Sequence, residues 1–256
     1  MFLGLRGSGQ EPQDRSDDAA YADWQTGFGD EVWKIENGFT SFLDDNGRTS
    51  EGRKSIALRY TAMHVPTWET AGGVLGPPGR MNAAFANAEF QQSIWQGVDR
   101  IGQYLDDEIA RCGSSQKYVL AGYSQGALAI HVYLTQRATP SVMARIAAVG
   151  LLADPSKNQN PDEHVYAEGF FERFHGDGIY NATGVYRKIG LPGSGPLPSD
   201  VTDRTITLCF NNDIVCAPGW GSWSTVHGQY TNGDTLSLMG RWLADTALDA
   251  GLPAEP

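Results

Sequence analysis

The sequence predicts an α/β fold, a three-layer sandwich in which a central, mostly parallel sheet lies between helices. Strand-like and helix-like hydrophobic patterns alternate along the chain, which is typical of this class. Residues 117–121 and 146–153 are short apolar runs, and the second is unbroken, as in a strand buried on both faces. We expect a single domain over residues 1–256, with a long loop excursion at about 156–203, where the periodic pattern weakens and no more than a short helix is expected.

Three further segments are predicted as strands. Residues 1–5 are apolar and are interpreted as the end of a buried strand, too short for a signal peptide. A strand at the first residue leads us to expect that upstream sequence, including any signal peptide, is missing from this chain. Residues 54–60 alternate in polarity, and residues 205–210 return to a strand pattern after the excursion.

Four segments are predicted as helices. A loop rich in Gly and Pro, at 61–82, precedes the longest of them. The longest covers roughly 83–111, where apolar residues recur every three or four positions: Ile94, Val98, Ile101, Leu105 and Ile109. Shorter helices are predicted at 31–43, directly after residues 122–126, and at 235–249.

The composition excludes several functions. Lys and Arg number 19 against 30 Asp and Glu, which gives a net charge of −11. A nucleic-acid binder or a protein that docks on anionic membranes needs the opposite charge. No apolar run approaches the ~18 residues of a transmembrane helix. We expect a globular monomer.

Residues 122–126, Gly-Tyr-Ser-Gln-Gly, fit the pattern G-x-S-x-G of a nucleophile elbow. The pentapeptide alone is a weak signal, and an ordinary glycine-rich turn is the alternative. Its place between a predicted strand and a predicted helix favours the elbow, because a tight turn there lifts the Ser124 hydroxyl above the strand end. The helix N-terminus then directs N–H groups toward a developing oxyanion.

A serine nucleophile needs a base and an acid, and in the α/β-hydrolase order both follow it in the chain. Three histidines lie beyond the next helix: His164, His175 and His227. Asp213, just after a predicted strand, and His227 form the best pair. Asp154, which ends the strand after the elbow, remains the alternative acid. His131, on the helix after the elbow, is expected to pack or to face solvent.

The chain has three cysteines. Cys209 and Cys216 lie close enough to close an eight-residue ring around Asp213, and such a disulfide would contribute about 2–3 kcal/mol of stability. The bridge would also hold the loop that carries the acid. Cys112 has no evident partner.

Five separated features resemble the cutinase-like serine esterases, a family that includes acetylxylan esterases. They are the loop Arg6-Gly7-Ser8, the elbow with Ala127, the pair Asp154-Pro155, the stretch 212–216, and His227 followed by Tyr230.

The resemblance implies a small α/β hydrolase without a large lid. Ser124 is then the nucleophile, His227 the base and Asp213 the acid. Backbone N–H groups of Ser8 and Gln125, with help from the Ser8 hydroxyl, would form the oxyanion hole. The family's cystine around the acid maps onto Cys209 and Cys216. Neither a metal nor an organic cofactor is implied, and the protein is expected to be secreted.

The sequence departs from the family in its first strand, which lacks the cysteine that usually pairs with the position of Cys112. Either Cys112 has lost an upstream partner or it is a free thiol. A sequon at Asn181 allows glycosylation if the source glycosylates secreted proteins.

The predicted function is hydrolysis of carboxylic esters in cutin, polyester or lipid-type substrates. An acetylxylan esterase, a mycolyl-lipid esterase, a serine peptidase and a non-catalytic binding protein with a hydrolase fold remain alternatives. Aromatic and apolar residues could form a rim for acyl chains or belong to the local core: Phe170, Phe171, Phe174, Trp220, Trp223, Val226 and Tyr230.

Overall fold

The structure is a computed structural model that describes residues 1–10, 24–48, 53–65, 84–113, 116–158, 164–165, 182–219, 224–231 and 233–250. Its strands are β1 (Phe2–Leu5), β2 (Ser55–Ala57), β3 (Tyr118–Tyr123), β4 (Ile146–Leu152), β5 (His164–Val165) and β6 (Thr205–Leu208). Its longer helices are α1 (Trp24–Asp45), α2 (Ala88–Cys112), α3 (Gln125–Gln136) and α8 (Thr235–Asp249). Four one-turn helices complete the set: α4 (Pro140–Met143), α5 (Val185–Lys188), α6 (Ser199–Thr202) and α7 (Ser224–His227).

The described strands form one sheet in the order β2-β1-β3-β4-β6-β5. Every pair of neighbours is parallel, so the carboxyl ends of the strands share one edge. β3 lies in the interior between β1 and β4, and its six residues are all buried. The predicted α/β fold is confirmed, and the elbow follows an interior strand.

Helices cover both faces of the sheet. Alternate residues of β1 enter different clusters: Phe2 packs with α1 and α8, whereas Leu3 and Leu5 pack with α2 and α3. Helices α1 and α8 approach closely where a Cβ on Gly38 would overlap the Ser237 carbonyl oxygen and one on Gly240 would overlap that of Ile35. Glycine at both positions therefore allows the backbones to touch.

Most predicted elements occur near their predicted bounds. The predicted helix at 235–249 has those bounds. The helix predicted from 83 begins at Ala88, because the Asn87 side chain caps it by accepting hydrogen bonds from the Glu89 and Phe90 N–H groups. The strand predicted at 117–121 continues through Tyr123 and so includes the first two residues of the elbow motif.

The segment 156–203 is not purely a surface excursion where the structure describes it. It contributes β5 to the sheet edge and the helices α5 and α6. Tyr186 is fully buried, its ring lies edge-on to Phe85, and Val201 is also in the core. Weak periodicity conceals this packing because helices of one turn have no repeating pattern.

None of the helices in the described ranges has both the length and the apolar composition needed to cross a membrane.

Candidate active site

Ser124 lies between β3 and α3 with a positive φ of 52°, a value that residues other than glycine rarely adopt. The Ser124 N–H donates to the Leu152 carbonyl at 2.8 Å, which ties the turn to β4. A Cβ on Gly122 would come within 2.6 Å of the Ala127 nitrogen, and one on Gly126 would overlap the Leu5 carbonyl. The two glycines of the motif are therefore required by close backbone contacts, and the turn is the strand–turn–helix arrangement of a nucleophile elbow.

The Ser124 hydroxyl contacts the imidazole of His227. Its Oγ lies 2.9 Å from His227 Nε2, and His227 Nδ1 lies 2.9 Å from Asp213 Oδ2. His227 ends the one-turn helix α7, and Asp213 lies in the loop after β6. All three side chains are buried, with Asp213 completely inaccessible. The arrangement can move a proton from a serine hydroxyl to an imidazole whose orientation a carboxylate holds.

The loop around Asp213 holds the carboxylate from several directions. Oδ1 accepts hydrogen bonds from the Val215 N–H at 2.6 Å and the Cys216 N–H at 3.3 Å. Burial raises the pKa of the Asp213 carboxyl, but the facing His227 and hydrogen bonds from His227, Tyr230 and Val215 outweigh it, so the pKa lies below its ordinary value. Asp213 therefore remains ionised at neutral pH, as an acceptor for the His227 proton.

Cys209 and Cys216 form the predicted disulfide across this loop. Both residues are buried beside Asp213, whereas Cys112 is a free, half-buried thiol on α2. Closing a ring of this size removes conformational freedom from the unfolded chain.

Replacing both Cys209 and Cys216 with serine is expected to lower the free energy of unfolding by about 2–3 kcal/mol. The kcat for p-nitrophenyl butyrate should fall more than KM rises, because the loop that positions Asp213 loosens. Urea unfolding and steady-state kinetics measure both effects. Cys112→Ser is the matched control and should change neither; equal losses in the control and the double variant would contradict the prediction.

Ser8 and Gln125, the residues predicted for the oxyanion hole, are in contact. The Ser8 hydroxyl donates to Gln125 Oε1 at 3.2 Å, and Gln125 Nε2 donates to Ser93 Oγ at 3.1 Å. Ser93 Oγ in turn accepts the Met63 N–H at 3.1 Å. Since Gln125 is in the first turn of α3, its N–H has no carbonyl partner within the helix. This hydrogen-bond network ties the loop after β1 to the helix that follows the nucleophile.

The start of the loop after β1 is held by reciprocal contacts with Tyr60. The Arg6 guanidinium donates to the Tyr60 carbonyl, and the Tyr60 hydroxyl donates to the Arg6 carbonyl at 2.5 Å. The guanidinium also lies 5.4 Å from the centroid of the Tyr60 ring. Both residues are buried, so the backbone that leads to Ser8 is fixed at its first residue.

Comparison with protein-family models places the site in a known family. The model described as Cutinase matches residues 78–242, about two thirds of the chain. The chain belongs to the Cutinase family. Membership of this family supports carboxylic ester hydrolysis as the activity of the protein.

Solved structures give the same fold for this cutinase-family protein. A cutinase-like protein from Cryptococcus sp. is 19% identical, with a TM-score of 0.56 over 97% of this chain and 93% of that chain. An acetylxylan esterase is 18% identical, with a TM-score of 0.61 over 96% of this chain and 97% of that chain. An iodinated acetylxylan esterase, also 18% identical, has a TM-score of 0.52 over 98% of this chain and 97% of that chain. A search of curated proteins found no match.

Asp154, the alternative acid, is engaged elsewhere in this cutinase-family chain. Its Oδ2 lies 2.7 Å from His131 Nδ1, and its Oδ1 accepts the Ser156 N–H at 2.8 Å. His131 Nε2 lies 2.8 Å from the Gly195 carbonyl. His131 therefore does not face solvent: it is buried in a pair that joins α3 to the loop after β4. The geometry favours Asp213 as the partner of His227.

Two tyrosines also pack against His227, and no role was predicted from the sequence for either hydroxyl. The Tyr123 ring stacks on the imidazole at 5.2 Å between centroids, and its hydroxyl donates to the His227 carbonyl at 2.6 Å. Tyr230 was considered for an apolar rim, but it is fully buried, and its hydroxyl donates to Asp213 Oδ2 at 2.7 Å. The rim interpretation is therefore wrong for Tyr230.

Several candidates from the sequence fall outside the described residues: Phe170, Phe171, Phe174, His175, Asn181, Trp220 and Trp223. His164 lies in β5, and Val226 is half-buried beside His227. Among the residues that the structure does describe, no group of three or more His, Cys, Asp or Glu side chains is arranged to hold a metal ion.

A buried carboxyl behind the loop after β1 was missed by the sequence analysis. Gln10 Oε1 accepts the Gly7 N–H at 2.7 Å, and Gln10 Nε2 donates to Glu31 Oε2. Glu31 lies on α1 and is 6% exposed. Burial raises its pKa, and the hydrogen bond from Gln10 only partly opposes that effect. Glu31 thus holds the Gln10 side-chain amide in the orientation in which its oxygen accepts the Gly7 N–H.

The raised pKa of Glu31 makes a prediction about stability. A carboxyl whose pKa rises on folding stabilises the fold below its unfolded value, and that contribution is lost as the pH rises through the folded pKa. Glu31→Gln keeps an acceptor for Gln10 but does not ionise. The free energy of unfolding of the variant, relative to the wild type, is therefore expected to increase from pH 4 upward. Urea unfolding at several pH values measures this difference, and exposed Glu89→Gln is the control. A difference independent of pH would refute the prediction.

Proposed function

We propose that the protein is a serine esterase that hydrolyses carboxylic esters through a covalent acyl-enzyme. The contact of Ser124 with His227 and of His227 with Asp213, in a chain of the Cutinase family, supports this proposal. The proposed catalytic residues are Ser124 as nucleophile, His227 as general base and acid, and Asp213 as the carboxylate that orients the imidazole.

In the first half-reaction, Ser124 Oγ attacks the ester carbonyl carbon while its proton passes to His227 Nε2. The carbonyl oxygen becomes an oxyanion, which the backbone N–H groups of Gln125 and Ser8 stabilise. The tetrahedral intermediate then expels the alcohol, which receives the proton from His227. In the second half-reaction water attacks the acyl carbon while its proton passes to His227 Nε2. The bond from the acyl carbon to Ser124 Oγ then breaks, Oγ takes the proton back from His227, and the carboxylic acid leaves.

The network around Ser8 supports its part in this scheme. Gln125 is buried and held by Ser93, so its Oε1 is fixed where it accepts the Ser8 hydroxyl. Because the Arg6–Tyr60 contacts fix the other end of the loop, Ser8 needs little reorganisation when charge develops on the substrate oxygen.

For the natural substrate we propose acyl esters of the cutin, polyester or lipid type. We further propose that the 256 residues form one monomeric domain that acts outside the cell. The disulfide in the Asp213 loop supports an oxidising compartment, where such bonds persist. The net charge of −11 is consistent with neutral substrates rather than polyanionic ones.

The experiment that tests the function is a panel of p-nitrophenyl acetate, butyrate, octanoate and palmitate, combined with labelling by a fluorophosphonate probe. A maximum at butyrate or longer chains is expected. A maximum confined to acetate would instead favour the activity of the acetylxylan esterases that share this fold. If the folded protein neither hydrolysed any ester nor reacted with the probe, a non-catalytic binding role would replace the proposal.

A further inference from the structure

The hydroxyl of Tyr230 lies between the backbone of Phe210, in the loop after β6, and the proposed catalytic acid Asp213. It accepts the Phe210 N–H at 2.9 Å and lies 2.7 Å from Asp213 Oδ2. A backbone N–H can only donate, so the tyrosine oxygen is the acceptor in the first contact and its own proton points to Asp213. Burial, followed by the charge of Asp213, raises the pKa of Tyr230 well above its ordinary value, so the hydroxyl stays a donor.

The ring of Tyr230 is held as firmly as its hydroxyl. It stacks on Phe210 with 4.2 Å between centroids and an interplanar angle of 8°. It is also in T-shaped contact with the rings of Tyr123 and His227, with 6.0 Å and 6.3 Å between centroids. With the side chain completely buried, the hydroxyl has little freedom to leave Asp213.

The two oxygens of Asp213 are held differently, although His227 Nδ1 faces both of them, at 2.9 Å from Oδ2 and 3.1 Å from Oδ1. Oδ1 is held by the loop itself, through the Val215 and Cys216 N–H groups. Oδ2 faces both the Tyr230 hydroxyl at 2.7 Å and His227 Nδ1 at 2.9 Å. The tyrosine thus donates to the carboxylate oxygen that lies closest to the imidazole, and it shares the electron density of that oxygen with His227.

We propose that Tyr230 is a positioning residue of the hydrolytic site. Its hydroxyl fixes the plane of the Asp213 carboxylate opposite His227, and by sharing Oδ2 it limits how strongly the carboxylate stabilises a protonated imidazole. The inference rests on the proposed function, since it assigns Tyr230 a role in that reaction. Tyr123 acts differently, because its hydroxyl bonds the main chain of His227 and not the acid.

Tyr230→Phe removes the hydroxyl and keeps the ring. The matched control is Tyr186→Phe, because Tyr186 is also fully buried and its hydroxyl is also a hydrogen-bond donor, with Gln91 Oε1 and the Pro192 carbonyl oxygen as acceptors at 3.1 Å each. Both variants lose a buried hydroxyl, so both are expected to lose thermal stability. Only the first loses a contact with Asp213.

For Tyr230→Phe we expect kcat on p-nitrophenyl butyrate to fall about tenfold, because the plane of the Asp213 carboxylate is no longer fixed opposite His227 and this loss outweighs the stronger base. KM should stay within about twofold of wild type. The acid limb of the kcat/KM profile should move to higher pH, because Asp213 without the tyrosine proton stabilises the imidazolium better. The other titratable groups that act on His227, Glu31 on α1 and Tyr123 on β3, are the same in both proteins. The proton NMR resonance of His227 Nδ1–H should move downfield, as its bond to Oδ2 is no longer shared. Tyr186→Phe should show none of these three changes.

If Tyr230→Phe and Tyr186→Phe had the same kcat, the same acid limb and the same Nδ1–H resonance, Tyr230 would be purely structural. Should Tyr230→Phe fail to fold, 3-fluorotyrosine at position 230 keeps the hydroxyl as a stronger donor. It must then move the acid limb to lower pH, and an unmoved limb would overturn the role. The NMR measurement needs no substrate, so an unmoved resonance counts against Tyr230 alone. A wild type inactive on every ester counts against the proposed function.

Discussion

Ser124→Ala is expected to reduce kcat for p-nitrophenyl butyrate by about 10⁴- to 10⁶-fold and to abolish labelling by a fluorophosphonate. The described contact of the Ser124 hydroxyl is with His227 Nε2, and alanine leaves no atom there to attack the ester carbon. The backbone at φ 52° accommodates alanine as it does serine, so the fold should survive. A thermal melt within a few degrees of wild type checks this before the kinetics are read.

The control is Ser141→Ala, a serine exposed on α4. This variant should keep both the hydrolysis and the labelling of the wild type. If instead Ser124→Ala hydrolysed the ester at the wild-type rate, the assignment of the nucleophile would be wrong. Residual labelling in Ser124→Ala would direct attention to another hydroxyl, which mass spectrometry of the labelled peptide identifies.

Asp213→Asn is expected to lower kcat by about 10⁴-fold while the protein remains folded. The asparagine can present its N–H₂ group to His227 Nδ1, which favours the tautomer with the proton on Nε2. Since His227 Nε2 is the atom that must accept the Ser124 proton, the base would be blocked. Kinetics at several pH values measure the loss of kcat, and a urea unfolding curve checks separately that the variant is folded.

Asp154→Asn is the matched comparison, because Asp154 is also a buried aspartate that pairs with a histidine. Asp154→Asn removes the carboxylate charge that faces His131, which should lower the free energy of unfolding by about 3 kcal/mol. Turnover of the folded fraction should stay within about threefold of wild type, since Asp154 bonds His131 and not His227. The reverse outcome would exchange the roles of the two aspartates.

The parts of the fold that could be predicted from the sequence are the elements with a local hydrophobic pattern or motif of their own. The interior strands β3 and β4, the helix at 235–249 and the turn at Ser124 were predicted because each has its own hydrophobic period or motif. Strand β5, with two residues, was missed, and for the 156–203 segment only a short helix without bounds was expected. Such short pieces contain no period and are held by contacts with Phe85 and β6.

For the candidate site, too, the residues with a local sequence signal could be predicted, whereas those placed only by helix packing could not. Ser124 followed from the elbow motif, and Asp213 was preferred to Asp154 for its position just beyond a predicted strand. The structure places Asp213, and not Asp154, at His227. The catalytic roles of these residues remain predictions until the variants are measured. Ser93 gave no signal beyond a small polar residue within the apolar stripe of a helix, and its contact with Gln125 depends on how α2 packs on α3.

The sequence by itself determined the layered α/β class, the position of the nucleophile turn and the pairing of Cys209 with Cys216, because these depend on residues close together in the chain. The tertiary structure alone decided which aspartate meets which histidine, that Tyr230 is buried with its hydroxyl on Asp213, and that Glu31 supports Gly7 through Gln10. Such contacts join residues from different elements. Their distances are set by how parallel strands bring their loops to one edge of the sheet and by which side chains fill the space between them.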